Sequence, residues 1–269
     1  MSATFGFIGT GNMGSALVKA AVRTLSPTEI LLTDHDQAKA EALAQELGCR
    51  AASRESVAAE SRFLFLGVKP HMMAGLLRDL APVLQRRSTA PVLVSMAAGL
   101  TIPQLEELSG GCCPIIRIMP NTPVSLGSGV ILYARSGSVT QEQLGAFLAG
   151  MAGAGGLYSL EESLIDAGTA VSGCGPAFTH LFIDALADGG VVCGLSRVDA
   201  VNFAAQTVLG AAQMVLSSGK HPEQLKNDVC SPGGSTIQGI RTLEQHGLRA
   251  ACMEAVIAAF EKNIALGKG

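Results

Sequence analysis

The chain has no tryptophan and only two tyrosines among its 269 residues, so it has little to stack on bases or sugar rings. Charge is scarce too, at 15% Asp, Glu, Lys and Arg. Nineteen Lys plus Arg against 22 Asp plus Glu leave −3, with no basic excess or cluster for nucleic acid or an anionic membrane surface. Hydrophobic residues make up 48%, which excludes disorder. So few charges also imply that another subunit covers much of the surface. The 32 glycines are not periodic, so collagen-like repeats are excluded. The cysteines, at 49, 112, 113, 174, 193, 230 and 252, include no C-x-x-C pair, so no metal site is expected. An odd cysteine count without a signal-peptide pattern points to free thiols in a reducing cytoplasm.

One uncharged run, Ala200 to Gly219, is long enough to span a bilayer. Its polar residues Asn202, Gln206, Gln213 and Ser217 fall within about 60° of one another on a helix. That marks a striped helix at a subunit interface, not a membrane span.

The first 160 residues alternate short apolar runs with alanine-rich stretches. Thr4–Ile8, Ile30–Thr33, Phe63–Val68, Val92–Ser95, Ile115–Ile118 and Val130–Tyr133 read as strands. Helices are expected from Ser15 to Leu25 and from about Gln37 to Leu47. Phe63–Val68 is apolar on both faces, as a central parallel strand must be. This alternation predicts a doubly wound, Rossmann-type α/β domain over residues 1–160. Strand signals stop after about Glu161. Residues 161–269 read as an all-α domain with helices near Gly175–Gly194, Arg197–Ser218, Pro222–Cys230, Gly234–Gln245 and Leu248–Leu266. The helix carrying Phe178, Leu181, Phe182, Ile183, Leu186 and Val191 is apolar nearly all round. It is expected to be buried on every side, most easily against a partner subunit.

Ile8 leads into Gly9-Thr10-Gly11-Asn12-Met13-Gly14, a G-x-G-x-x-G segment that follows a strand and opens a helix, the context that makes it a dinucleotide fingerprint. The first glycine allows the turn, and the second lets backbone approach a pyrophosphate. The third lets helix pack on strand, and the helix N-terminus faces the anion. Asp34 ends strand two, where an acid accepts hydrogen bonds from ribose hydroxyls. It is also placed to cap the helix that follows. Val68-Lys69-Pro70-His71, Met96-Ala97-Ala98-Gly99 and Met119-Pro120-Asn121-Thr122-Pro123 should line the same crevice. Ala97, Ala98 and Gly99 are small enough to admit a nicotinamide ribose, and Asn121 is placed to bond the ribose or carboxamide. Read alone, each is also an ordinary Gly-, Pro- or Asn-rich turn.

In the helical half, Val229-Cys230-Ser231-Pro232-Gly233-Gly234-Ser235-Thr236 is a Pro-Gly-Gly turn delivering a helix. The free amides of Ser235 and Thr236 would cradle a carboxylate, with the Thr236 hydroxyl alongside. A helix start capped by Ser231 or Ser235 is the alternative. His71, His180, His221 and His246 read as surface or capping residues.

These segments, with Ser172-Gly173-Cys174-Gly175-Pro176-Ala177 and the run from Val229 to Glu244, resemble the pyrroline-5-carboxylate reductase family along essentially the whole chain. The resemblance implies reduction of 1-pyrroline-5-carboxylate to L-proline by NADPH or NADH, the last step of proline biosynthesis. It implies interlocked helical domains in a homodimer, with rings of dimers in several members, and sites combining one cofactor domain with both helical domains. By the same resemblance, Ile8 to Met13 would hold the pyrophosphate and Asp34 would lie beside the adenosine ribose. Val68, Lys69, Pro70, Ala97 to Gly99 and Asn121 would flank the rest of the cofactor. Ser231, Gly234, Ser235 and Thr236 would bind substrate, with Thr236 beside the ring nitrogen as the catalytic residue.

Cys174 stands where many members have serine, and Asp228 lies near the substrate loop where some carry asparagine. Two rivals share part of this pattern. A β-hydroxyacid dehydrogenase has the same plan but resembles its relatives in a catalytic lysine with asparagine one turn on; Thr179 and Ile183 stand there instead. A dinucleotide-binding redox sensor without turnover would show a degenerate substrate loop, whereas Ser231 to Thr236 is intact.

Overall fold

The computed structural model describes residues 3–267. The chain divides into two compact units, Met1–Cys174 with Ala259–Gly269, and Gly175–Ala258.

The first unit is built on one eight-stranded sheet. Its strands are β1 (Ala3–Ile8), β2 (Ile30–Thr33), β3 (Arg50–Ala51), β4 (Ser61–Leu66), β5 (Val92–Ser95), β6 (Ile115–Pro120), β7 (Gly129–Arg135) and β8 (Gly155–Ser159), in spatial order β3-β2-β1-β4-β5-β6-β7-β8. The helices between them are α1 (Asn12–Ala21), α2 (Gln37–Leu47), α3 (Arg54–Glu60), α4 (Met73–Gln85), α5 (Ile102–Leu108) and α6 (Gln141–Met151), and α7 (Ile165–Ser172) follows the last strand. This is the expected doubly wound fold. Strand order reverses between β1 and β4, which opens a crevice beyond their carboxyl ends.

Apolar runs make β1 and β4 central because both of their faces are covered. Phe5 pairs with Phe63 and Phe7 with Phe65 across the parallel register. Side chains alternate along a strand, so all four phenylalanines share one face. Phe7 and Phe65 stack with centroids 4.3 Å apart, and Phe5 meets Phe63 edge-on at 5.5 Å. The opposite face presents Leu64 and Leu66 to buried Leu76, Leu77 and Leu80 of α4.

Three details depart from the sequence reading. The first crossover helix runs from Asn12 to Ala21 instead of Ser15 to Leu25, because Gly11 is already its extended N-cap. Strands β3 and β8 were not expected: the first has two residues, and the second opens on Gly155-Gly156. Finally, β7 is antiparallel to β6. The link between them is a 3-10 turn over Thr122–Leu126 closed by left-handed Gly127, too short for a parallel crossover.

Strand β6 also carries a buried cation. Arg117 is 2% exposed, and its guanidinium nitrogens lie 3.2 Å from Glu162 Oε1 and 3.2 Å from Asp166 Oδ1. Glu162 Oε1 also accepts from the Ile102 amide at 2.6 Å. A buried charge without partners is costly, so this strand holds an arginine only because two carboxylates meet it.

The second unit contains α8 (Gly175–Val192), α9 (Arg197–Ser218), α10 (Pro222–Asp228), α11 (Ser235–Gln245) and the start of α12 (Leu248–Gly267). Helix α8 packs on α9, and Ala187, Ala200 and Ala204 form the small core between them. Within one chain α8 is not buried on every side. Leu181 is 72% exposed, and Phe178, Phe182 and Leu186 are exposed as well. A two-helix contact covers one stripe of each helix, and among the described residues much of the remaining apolar circumference stays open. No helix among the described residues is long and apolar enough to cross a membrane; in α9 the stripe residues Asn202, Gln206, Gln213 and Ser217 are all exposed.

Candidate active site

The glycine-rich turn is shaped by backbone packed against backbone. Gly9 has φ +101°, the left-handed side where a side chain would be strained. Its amide donates to the Thr33 carbonyl at 2.8 Å, and the Gly67 amide donates to the Ile8 carbonyl at 2.7 Å. A Cβ on Gly14 would sit 2.1 Å from the Gly9 carbonyl oxygen, and one on Gly9 would sit 2.4 Å from that of Gly67. The turn therefore nests between the ends of β1 and β4, and α1 starts without a side-chain cap. Its first amides are free for an anion.

A Gly14→Ala chain must move the Gly9 carbonyl. Overpacking of this kind costs about 1–3 kcal/mol, and the shifted turn should raise KM for the dinucleotide at least tenfold in titrations of the folded variant. Unchanged cofactor affinity in that variant would count against the turn as the pyrophosphate cradle.

Asp34 lies at the end of β2, partly buried, and faces the turn. Its Oδ2 accepts from the Thr10 amide at 2.5 Å and the Thr10 hydroxyl at 3.0 Å; Oδ1 accepts from the Asp36 amide at 3.1 Å. Burial opposes its ionisation, yet these hydrogen bonds and the Lys39 charge outweigh it and hold the carboxyl below the usual range. The Thr10–Asp34 tie is thus at full strength above the ordinary aspartate pKa and weakens as pH falls through the lowered value. Asp34 does not cap α2; Asp36 occupies the N-cap position.

Beside this turn a cavity of about 830 Å³ opens, lined by Ile8, Gly9, Gly11, Asp34, Val68 and Lys69 from the expected set. Thr10, Asn12, Met13 and Pro70 adjoin it in sequence without lining it. Its outer wall holds Arg54, which the sequence places within reach of a 2′-phosphate, together with residues the sequence did not single out, among them His35, Ser53, Glu55, Met72 and Asp79. Ser53 to Glu55 arrive on the short β3–α3 unit, which gave too few apolar residues to read. Arg54 reaches to 3.4 Å from Asp79.

The Ala97–Gly99 loop leaves β5 next to the end of β4, through the Leu66–Ser95 pair. Ala97 is buried, Ala98 exposed, and Gly99 is left-handed. Asn121 is buried; its amide nitrogen donates to the Ser172 carbonyl at 2.9 Å and its oxygen accepts from the Val130 amide at 2.8 Å. This side chain fixes the loop after β6 before any ligand arrives.

In the helical unit, the turn before α11 passes through left-handed Gly233 to Gly234, the extended N-cap. No side chain caps this helix, so neither Ser231 nor Ser235 closes it. Ser231 Oγ instead packs where a Gly234 Cβ would be, 2.4 Å from that position. The amides of Ser235 and Thr236 stay open, and both side chains are exposed. His221 caps α10 through Nδ1, which accepts from the Glu223 amide at 3.2 Å, while His71, His180 and His246 are exposed.

Comparison with known proteins places both units. The family described as "Pyrroline-5-carboxylate reductase dimerisation" matches residues 162–266, and "NADP oxidoreductase coenzyme F420-dependent" matches residues 4–99. The chain is 41% identical to a pyrroline-5-carboxylate reductase of Glycine max, over 97% of this chain and 95% of that one. It superposes on a pyrroline-5-carboxylate reductase from Coxiella burnetii with TM-score 0.90 and 30% identity, covering 100% of both chains. A Plasmodium falciparum pyrroline carboxylate reductase with NADP bound aligns with TM-score 0.85 and 32% identity, over 98% of each chain.

Proposed function

The chain belongs to the pyrroline-5-carboxylate reductase family, and from that premise we propose how its residues reduce 1-pyrroline-5-carboxylate to L-proline with NADPH or NADH. The observation that carries the reading is the pair of uncapped helix starts, each opened by a glycine turn. One lies in a sheet crevice suited to a pyrophosphate; the other stands in an exposed loop suited to a small carboxylate.

In this reading, residues 1–160 bind the dinucleotide and residues 161–269 bind substrate and dimerise. The backbone of Ile8 to Met13 wraps the pyrophosphate; Gly9, Gly14 and Gly67 let the turn pack tightly on itself, and Gly11 leaves open space beside it. Val68, Lys69, Pro70 and Ala97 to Gly99 flank the rest of the cofactor, with Asn121 holding the neighbouring loop. When bound, the reduced nicotinamide supplies a hydride for the imine carbon. The amides of Ser235 and Thr236, shaped by Ser231 and Gly234, fix the substrate carboxylate and so orient the ring. The Thr236 hydroxyl donates a hydrogen bond at the ring nitrogen. An iminium is already strongly electrophilic, so orientation and one donor suffice. The family's dimerisation region and the exposed apolar face of α8 support a homodimer, with rings of dimers as its extension. Seven free thiols fit a cytoplasmic setting. Steady-state assay with pyrroline-5-carboxylate and each cofactor tests the function; absence of turnover with both would overturn it and leave the non-catalytic sensor.

The same assay reads cofactor choice. Three carboxylates, Asp34, Glu55 and Asp79, line the outer crevice with Arg54 and Lys69, and Arg54 is engaged with Asp79. A 2′-phosphate near Asp34 would meet a like charge, at a cost of about 1–4 kcal/mol at roughly 4 Å. NADH is therefore expected to be a competent cofactor. Asp34→Asn is the clean variant, since it keeps an oxygen for the Thr10 amide while removing the charge. It should shift the NADPH-to-NADH ratio of kcat/KM towards NADPH by about tenfold or more. An unchanged ratio would show that Asp34 does not read the ribose.

A further inference from the structure

At the end of the sheet opposite the cofactor crevice, where α5 runs into β6, the chain reads Ser109-Gly110-Gly111-Cys112-Cys113-Pro114. Neighbouring side chains in extended backbone point to opposite sides. Here they do not: the two sulfur atoms lie 3.5 Å apart. Gly110 and Gly111 are both left-handed, with φ +68° and +67°, so the pair follows directly on a tight double turn. Cys112 is exposed, and its Sγ donates to the Ser109 carbonyl at 3.0 Å. Cys113 is buried at 4% exposure among the apolar residues on this face of the sheet.

We propose that Cys112 and Cys113 form a vicinal dithiol that closes to a disulfide when a hydroperoxide reaches Cys112. The assignment of roles follows from access. Only Cys112 meets solvent, so its thiolate attacks the peroxide: an S–O bond forms, the O–O bond breaks, and the leaving oxygen departs protonated. The resulting sulfenic acid is within contact of Cys113. The Cys113 sulfur then attacks the Cys112 sulfur; the S–S bond forms, the S–O bond breaks, and hydroxide leaves as water with the Cys113 proton. Two electrons pass from the thiol pair to the peroxide, and hydrogen peroxide ends as two waters. Burial, with the Cys112 contact, pushes the Cys113 thiol up to about 12, so ring closure should accelerate as pH rises. The nearby Arg87 charge partly offsets that shift.

The peptide between Arg87 and Arg117 contains no other cysteine, so trypsin isolates the pair. Full-length enzyme is treated with limiting hydrogen peroxide, digested under thiol-blocking conditions and weighed. Loss of two hydrogens on this peptide, reversed by dithiothreitol, is the expected result. The Cys113→Ala chain should instead trap a sulfenic acid with dimedone at Cys112, whereas wild type traps little. Phenylarsine oxide, which bridges two adjacent thiols and releases water, should label the wild-type peptide once and either single variant not at all. This second probe needs no oxidation and stands even if Cys113→Ala folds poorly. Cys112→Ser should keep wild-type turnover, since the pair lies outside the proposed active site. Equal dimedone trapping in wild type and Cys113→Ala, accumulation of sulfinate on Cys112, or no arsenical bridging would overturn the proposal.

Discussion

Replacing Thr236 by alanine is expected to lower kcat by roughly 10²–10³-fold, the usual cost of losing one preorganised donor. The fold should survive the change. Thr236 is exposed on the first turn of α11, and the helix cap is Gly234, so the substitution leaves no cavity and removes no cap. Substrate KM should move much less than kcat, because the Ser235 and Thr236 amides proposed to hold the carboxylate belong to the backbone. Thr236→Ser keeps the hydroxyl and should recover most of the loss. The measurement is steady-state kinetics beside a thermal melt. Wild-type turnover at saturating substrate in the alanine chain would remove Thr236 from the mechanism.

A charge at Leu186 is expected to abolish both assembly and folding of the helical unit. Leu186 lies on α8 and is 40% exposed within the chain, beside an apolar face that includes Phe178 and Phe182. In a homodimer that face is covered, and an unpaired aspartate there would cost several kcal/mol per chain. Two chains share the interface, so the penalty is counted twice. An obligate homodimer has no stable folded monomer to fall back on. Leu186→Asp should therefore elute as aggregate or unfolded chain and lose all activity. Light scattering of the wild type at micromolar concentration provides the complementary check. An active wild-type monomer, or a Leu186→Asp chain that remains an active dimer, would show that this face is not the interface.

The contrast between Thr236 and Asn121 shows why the local setting of one residue was readable and that of the other was not. Thr236 follows a local rule: a Pro-Gly-Gly turn ends in a helix whose first amides have no partners, and every atom of that argument lies within six residues. Asn121 also stands in a turn-like segment, and its residue type alone suggests a ligand contact. Its amide is instead bonded to Val130 and to Ser172, 51 positions away, and nothing in the local segment specifies that distant partner. Asp34 lies between these cases. Its place after strand two was legible, whereas its grip on Thr10, which leaves Oδ2 already engaged, came from the packing of two βα turns.

By itself the sequence determined the sheet-then-helices plan, because hydrophobic period and glycine turns are properties of short segments. The fingerprint at Gly9–Gly14, β2 and α2 at their observed bounds, and the Pro-Gly-Gly helix start belong to that class. The tertiary structure alone decided what depends on partners far along the chain. It reversed β7, paired the two-residue β3 with β2, and seated Arg117 between Glu162 and Asp166, 45 and 49 positions distant. An isolated segment carries its own backbone preferences, but burial, ion pairing and strand direction are set by whatever the rest of the chain places against it.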